Sequence, residues 1–272
     1  MNRLTRIAIV QDDCILGETA RNIEKAADLI RRAAEQDAAL VLFPEMYLTG
    51  YALGEKTRKL AVKVAGSVID ELAQMAKKNQ IFICMGFPEL DPVSRKIFNS
   101  LVCLSDQGEL LAVYRKIQLY DDEKDFFSAG DEIKVAQTPL GRTGFLICYD
   151  LEFPELARMI ALQDADVLLV ATANMHPWCD QQDVYVKARA AENKIFLALA
   201  NRIGQEKDLV FCGSSAVVDP LGCILAGAGR QNPALLIADI DLNSIATARS
   251  CVNYLKDRRP EIYGPLSQCR KP

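Results

Sequence analysis

Short apolar runs of strand length recur along this chain: Leu40–Phe43, Ile81–Phe87, Gly144–Cys148, Val167–Ala171 and Ile195–Ala200. A strand that is apolar at successive positions, rather than at alternate ones, must be covered on both faces. The covers lie between the runs. Glu18–Gln36 reads as a helix with Ile23, Ala27, Ile30 and Ala34 on one side, and Ser67–Asn79 as another with Ile69, Leu72, Ala73 and Ala76 buried. Ser67 with Asp70 suits a cap for the second. Phe153–Pro154 opens a helix reaching about Leu162, proline standing at its favoured first position, and Asp180–Asn193 is helical.

Thr5–Val10, Lys134–Gln137, Thr143–Ile147 and Leu235–Ile240 add strands. Two hairpins, Asn99–Leu104 with Glu109–Lys116 and Ser214–Val218 with Cys223–Ala226, exclude a purely parallel sheet and hint at an internal duplication. Tyr120–Gly130 shows no periodicity and reads as a loop; residues from Arg249 onward read as an extended tail. No proline- or serine-rich linker interrupts this order, so one α/β domain is expected.

The 272 residues are half hydrophobic and carry a net charge of −4, with no basic field to hold nucleic acid. The apolar stretch behind Arg3 and Arg6 is too short for a secretion signal, and no run approaches the ~18 residues that cross a bilayer, which leads to the expectation of a cytoplasmic protein without membrane partners. Nine cysteines without a C-x-x-C pair read as reduced, buried small hydrophobes rather than as disulfides or a zinc site. One of them is an exception.

Cys148 ends an apolar run; Glu45 follows Leu40–Pro44, and Lys116 follows Leu110–Arg115. A thiol attacks as its thiolate, so something must take its proton. His176 is the chain's single histidine, so a Cys148–His176 pair is one option. A carboxylate raised toward neutrality by burial is the other, and Glu45 is placed to be desolvated. Lys116 would favour the thiolate and a later oxyanion, and the backbone N–H of Tyr149 is a natural second oxyanion donor.

Phe43–Tyr51, Tyr114–Leu119 and Cys148–Glu155 resemble the three signatures of the nitrilase superfamily, the carbon–nitrogen hydrolases. Ala188–Asn193, Ala200–Gly204, Gly213–Pro220 and Asp257–Tyr263 are similar to later blocks of that family, in the right order. The resemblance implies a four-layer αββα sandwich, a single domain over residues 1–272 with 249–272 as its tail, and a homodimer or higher even assembly through the helix after the nucleophile and the tail. It implies Glu45 as base, Lys116 as electrostatic stabiliser, Cys148 as nucleophile and Glu123 as a second active-site glutamate, with Arg189 and Glu192 structural. No cofactor or metal is required; the acidic pairs Asp12–Asp13 and Asp121–Asp122 read as solvated.

Departures fall around the pocket: Gln118 where histidine is common, Ala129 for a frequent proline, Glu152 where arginine is often found, and an unusual strand exit at Ala173–Trp178. Tyr51, Asn174, His176 and Trp178 are the expected pocket residues. Tyr149–Asp150 resembles the amidase and carbamoylase branches, so hydrolysis of a small amide leads. Nitrile or N-carbamoyl hydrolysis stands as the alternative, and a non-catalytic binding or scaffold protein on the same fold is the reading from another class.

Overall fold

The structure, a computed structural model, describes residues 4–268. Its elements in chain order are β1 (Leu4–Gln11), α1 (Thr19–Ala34), β2 (Leu40–Leu42), α2 (Thr57–Leu60), α3 (Ser67–Asn79), β3 (Phe82–Leu90), β4 (Ile97–Leu104) and β5 (Leu110–Arg115). There follow α4 (Glu123–Phe126), β6 (Val135–Thr138), β7 (Gly141–Ile147), α5 (Pro154–Ala161), β8 (Val167–Thr172), α6 (Cys179–Asn193) and β9 (Phe196–Asn201). The chain ends through β10 (Gln205–Glu206), β11 (Leu209–Val210), β12 (Ala216–Val218), β13 (Ile224–Gly227), β14 (Ala234–Asp241) and α7 (Asn243–Cys251).

Two six-stranded sheets result, ordered β14-β1-β2-β3-β4-β5 and β13-β12-β9-β8-β7-β6. Each has three parallel strands at its centre, β1–β2–β3 and β7–β8–β9, with antiparallel strands outside. The side-chain alternation of β1 and β2 shows how the layers stack. Ile7, Ile9, Leu40 and Leu42 join one apolar cluster with β7, β8 and β9 of the other sheet, whereas Ala8, Val10 and Val41 join a second cluster with Ile23 and Ile30 of α1 and Leu72 of α3. Helices α5 and α6 cover the far face of the second sheet, through Ile160 and Val186. The order of layers is therefore α-β-β-α, and the uninterrupted apolar runs follow from burial on both faces.

Some expectations shift. Helix α3 starts at Ser67, but Gly66 holds the cap position and no side chain caps it. The loop 120–130 contains the four-residue helix α4, too short to show periodicity. The expected tail begins inside α7, which buries Ile245 and Ala248; its last residues, 269–272, and Cys269 with them, lie outside the described residues. Cys14, Cys84, Cys103, Cys179 and Cys212 are buried free thiols, as a reduced chain requires, but Cys223 and Cys251 are exposed.

Candidate active site

Three strand ends and one helical turn converge at one end of the sandwich. Glu45 leaves β2, Lys116 leaves β5, Cys148 leaves β7, and Glu123 opens α4. The Lys116 ammonium is fully buried between two carboxylates, 2.8 Å from Glu45 Oε1 and 2.7 Å from Glu123 Oε1. Its backbone is pinned on both sides: Lys116 N–H donates to Asn99 O and Gly130 N–H donates to Lys116 O. Gly130 is glycine for a steric reason, since a Cβ there would lie 2.3 Å from Arg115 O.

Glu45 Oε1 accepts from Asn99 Nδ2 at 2.7 Å as well as from Lys116, while Oε2 accepts from the Ala173 N–H at 2.8 Å. Oε1 is thus saturated and Oε2 keeps one lone pair open to a proton. Burial raises the Glu45 pKa, and Glu123 adds to the rise while Lys116 opposes it. For Lys116, burial would lower the pKa, but Glu123, Glu45 and Cys148 outweigh it and hold the ammonium well above its ordinary value. Lys116 stays charged and Glu45 has a proton affinity suited to a base.

Cys148 is half-buried and sits at φ 46°, a left-handed conformation that a side chain other than glycine rarely adopts. Burial and the Glu45 charge push its thiol up; Lys116 and a hydrogen bond with the Thr172 hydroxyl pull the other way. Cys148 therefore rests as a thiol, which would need a base to act during an attack rather than before it.

The turn carrying Cys148 is held by Asp150. Its Oδ2 accepts from the Tyr114 hydroxyl at 2.8 Å and from Ile147 N–H, and its Oδ1 from Gln118 N–H at 2.7 Å and Ile117 N–H. One fully buried carboxylate thus ties the turn that carries Cys148, in one sheet, to the segment after Lys116 in the other. A second buried group works from the far side. Arg202, with Nη1 2.6 Å from Glu206 Oε1, fixes a carboxylate whose Oε2 accepts from Tyr51 N–H and Ala52 N–H. Tyr51 in turn donates its hydroxyl to Glu123 Oε1 at 2.9 Å, and Tyr120 N–H donates to Glu123 Oε2 at 2.8 Å.

Of the residues expected at the site, Glu45, Lys116, Glu123 and Tyr51 are joined by hydrogen bonds, and the charges of the first three act on Cys148. Asn174 lines the Cys148 recess with Thr172 and Gln182. Tyr149 stacks edge-on between Tyr120 and Phe153. Trp178 is exposed, its indole N–H donating to the Tyr120 hydroxyl at 3.2 Å. His176 is exposed, with Nδ1 3.4 Å from Cys179 Sγ. Asn99 and Glu206 escaped the sequence reading, and Asp150 entered it only as a mark of the amidase and carbamoylase branches. Asn99 left a signal, a carboxamide inside an apolar hairpin strand; Glu206 looks like an ordinary surface acid until the chain folds.

A nucleophilic thiol, a buried carboxylate and a buried ammonium on an αββα sandwich define a thiol-dependent hydrolase. The family model for carbon–nitrogen hydrolases matches residues 6–250. The chain is 35% identical to an (R)-stereoselective amidase of a Pseudomonas species, covering 93% of this chain and 90% of that protein. It is 32% identical to the human omega-amidase NIT2, over 95% of this chain and 96% of the relative. Among solved structures it resembles the amidase from Nesterenkonia sp. AN1, with a TM-score of 0.86, 31% identity and 95% of each chain covered; that structure is a glutamate-to-glutamine variant with the acetamide moiety of fluoroacetamide covalently added at the active-site cysteine. This chain belongs to the carbon–nitrogen hydrolase family, and it is an enzyme of the Glu-Lys-Cys type.

Proposed function

We propose that the enzyme hydrolyses the C–N bond of a small amide through a Cys148 thioester, with the roles that follow. Glu45 Oε2 takes the thiol proton as Cys148 sulfur attacks the amide carbon. Two of the three Lys116 N–H donors are engaged by Glu45 and Glu123, which leaves the third for the oxyanion. The Tyr149 N–H is the second oxyanion donor. Glu45 passes its proton to the leaving nitrogen as the C–N bond breaks. It then deprotonates a water that attacks the thioester, and the acid leaves as Cys148 regains its proton. Glu123 positions Lys116 and the substrate nitrogen; Asn174 and Tyr51 shape the pocket, with Trp178 and His176 at its rim.

The observation that carries this reading is the Lys116 ammonium held between Glu45 and Glu123, with the charges of all three acting on the Cys148 thiol. Support also comes from the Nesterenkonia amidase, whose cysteine-to-alanine variant is in complex with butyramide. The test is ammonia release across small amides, omega-amides, carbamoyl amines and nitriles. Amide turnover is expected, lost by roughly a thousandfold or more in Cys148→Ala. Turnover of nitriles alone, or full activity in that variant, overturns the assignment.

The chain is further read as a single catalytic domain, working as a homodimer or higher even assembly in the cytoplasm. Exposed apolar residues on α5 and just after it, Met159 and Leu162, and in the C-terminal segment, Ile262 and Leu266, support the pairing. Free cysteines support a reducing compartment. A monomer by light scattering at micromolar concentration contradicts the assembly.

A further inference from the structure

The recess into which Cys148 opens is shallow and open to solvent, and is lined by Thr172, Asn174, Gln182, Tyr185 and Glu152 besides Cys148. Two of its polar neighbours are already committed. Gln182 donates to Gly213 O and accepts from Asn201, and Asn174 donates to Trp178 O and accepts from Met175 N–H. Glu152 differs from them. Half-buried at the wall, its carboxylate has neither a hydrogen bond nor an ion pair among the described residues. The nearest guanidinium, Arg189, spends its N–H groups on the carbonyl oxygens of Leu151 and Glu152 and on the Glu192 carboxylate.

Lys116 and Arg189 act on this carboxylate only at a distance, and an anion partly withdrawn from water with no direct partner gains when a ligand supplies one. We infer that Glu152 is a specificity-determining residue that recognises a protonated amine on the substrate, so that the enzyme selects short amides bearing a cationic amino group over neutral and anionic ones. The inference rests on the amide-hydrolase reading and deepens it. Cys148 and Glu152 stand at the two ends of one 3-10 turn, Cys148–Glu152. At ~2 Å of rise per residue their backbones lie about 8 Å apart. With both side chains lining the same recess, that span suits an ammonium placed two or three bonds from the amide carbon. The charges around Cys148 point the same way: Lys116 is already engaged by Glu45 and Glu123, and Arg189, the other cation acting on Glu152, is bonded to backbone carbonyls and to Glu192.

The experiment measures kcat/KM by ammonia release for three amides of similar size: 3-aminopropanamide (cationic), butanamide (neutral) and succinamate (anionic). The wild-type enzyme is expected to prefer the cation over the neutral amide by about tenfold or more, with the anion last. Glu152→Gln, its fold checked by thermal melting, is expected to reduce the cation-to-neutral ratio about tenfold. Glu152→Arg is expected to move preference to succinamate. A wild-type enzyme that treats cation and neutral amide alike overturns the inference, as does an unchanged ratio in Glu152→Gln. Failure of the wild type on all three amides refutes the amidase reading itself, and the inference with it.

Discussion

Asp150→Asn separates what Asp150 costs from what it organises. Burial pushes the Asp150 carboxyl up from 3.8 to about 6, although hydrogen bonds from Gln118 and Ile147 N–H and from Tyr114, with the Lys116 charge, oppose the rise. At 1.36 kcal/mol per pH unit, keeping the group ionised in the folded state costs about 3 kcal/mol at pH 8. The sign follows from the raised folded pKa. The group's contribution is greatest below pH 3.8, where folded and unfolded chains are both protonated, and is lost as pH rises through about 6. At pH 5 somewhat more than half of the cost is already present, so the wild type loses about 1 to 2 kcal/mol more between pH 5 and pH 8.

The asparagine variant escapes that cost. Its amide nitrogen can donate to the Tyr114 hydroxyl, which turns to accept, but it confronts the Ile147 N–H and orphans one buried donor at about 1 to 3 kcal/mol. Urea unfolding at pH 5 and pH 8 should therefore show the stability of the wild type relative to Asp150→Asn falling by about 1 to 2 kcal/mol with rising pH, the two being close at pH 8. The variant should nevertheless be a poorer enzyme, because the Cys148 turn and the segment after Lys116 lose their common anchor. A stability difference that ignores pH, or grows in the wild type's favour, refutes the reasoning.

Three more outcomes are expected. Because burial raises Glu45, the acid limb of the kcat/KM profile should lie above the ordinary carboxylate range, with activity falling as pH drops through it; Glu45→Gln should lose roughly 10² to 10⁴ in rate, and a limb near pH 4 in the wild type would argue for another base. Tyr51→Phe removes a hydrogen bond to Glu123 and should lower kcat/KM about tenfold; a change under about twofold would take the hydroxyl out of the catalytic network. Gly86→Ala places a Cβ 2.6 Å from both Pro44 O and Met46 N and 2.8 Å from Glu45 Cα, so the backbone at Glu45 must move. A loss of about 1 to 3 kcal/mol in thermal unfolding together with a large fall in kcat is expected; a stable, fully active variant would show that this approach tolerates strain.

Sequence alone determined the architecture class, because strands apolar at successive positions have to be covered on both faces and the amphipathic helices between them supply the covers. It also marked three strand ends as candidates for the chemistry, since each is a local pattern: an apolar run closed by Glu45, Lys116 or Cys148. Tertiary structure decided the rest. Pattern cannot show that Lys116 lies between Glu45 and Glu123, because those residues meet only when two sheets stack. Nor can it give Asp150 its grip on both sheets, Glu206 its hold on Tyr51, His176 its contact with Cys179, or Glu152 its place in the wall of the recess. Periodicity reports which face of an element is dry. Which polar groups share that dryness, and so have their proton affinities moved, depends on contacts between residues far apart along the chain.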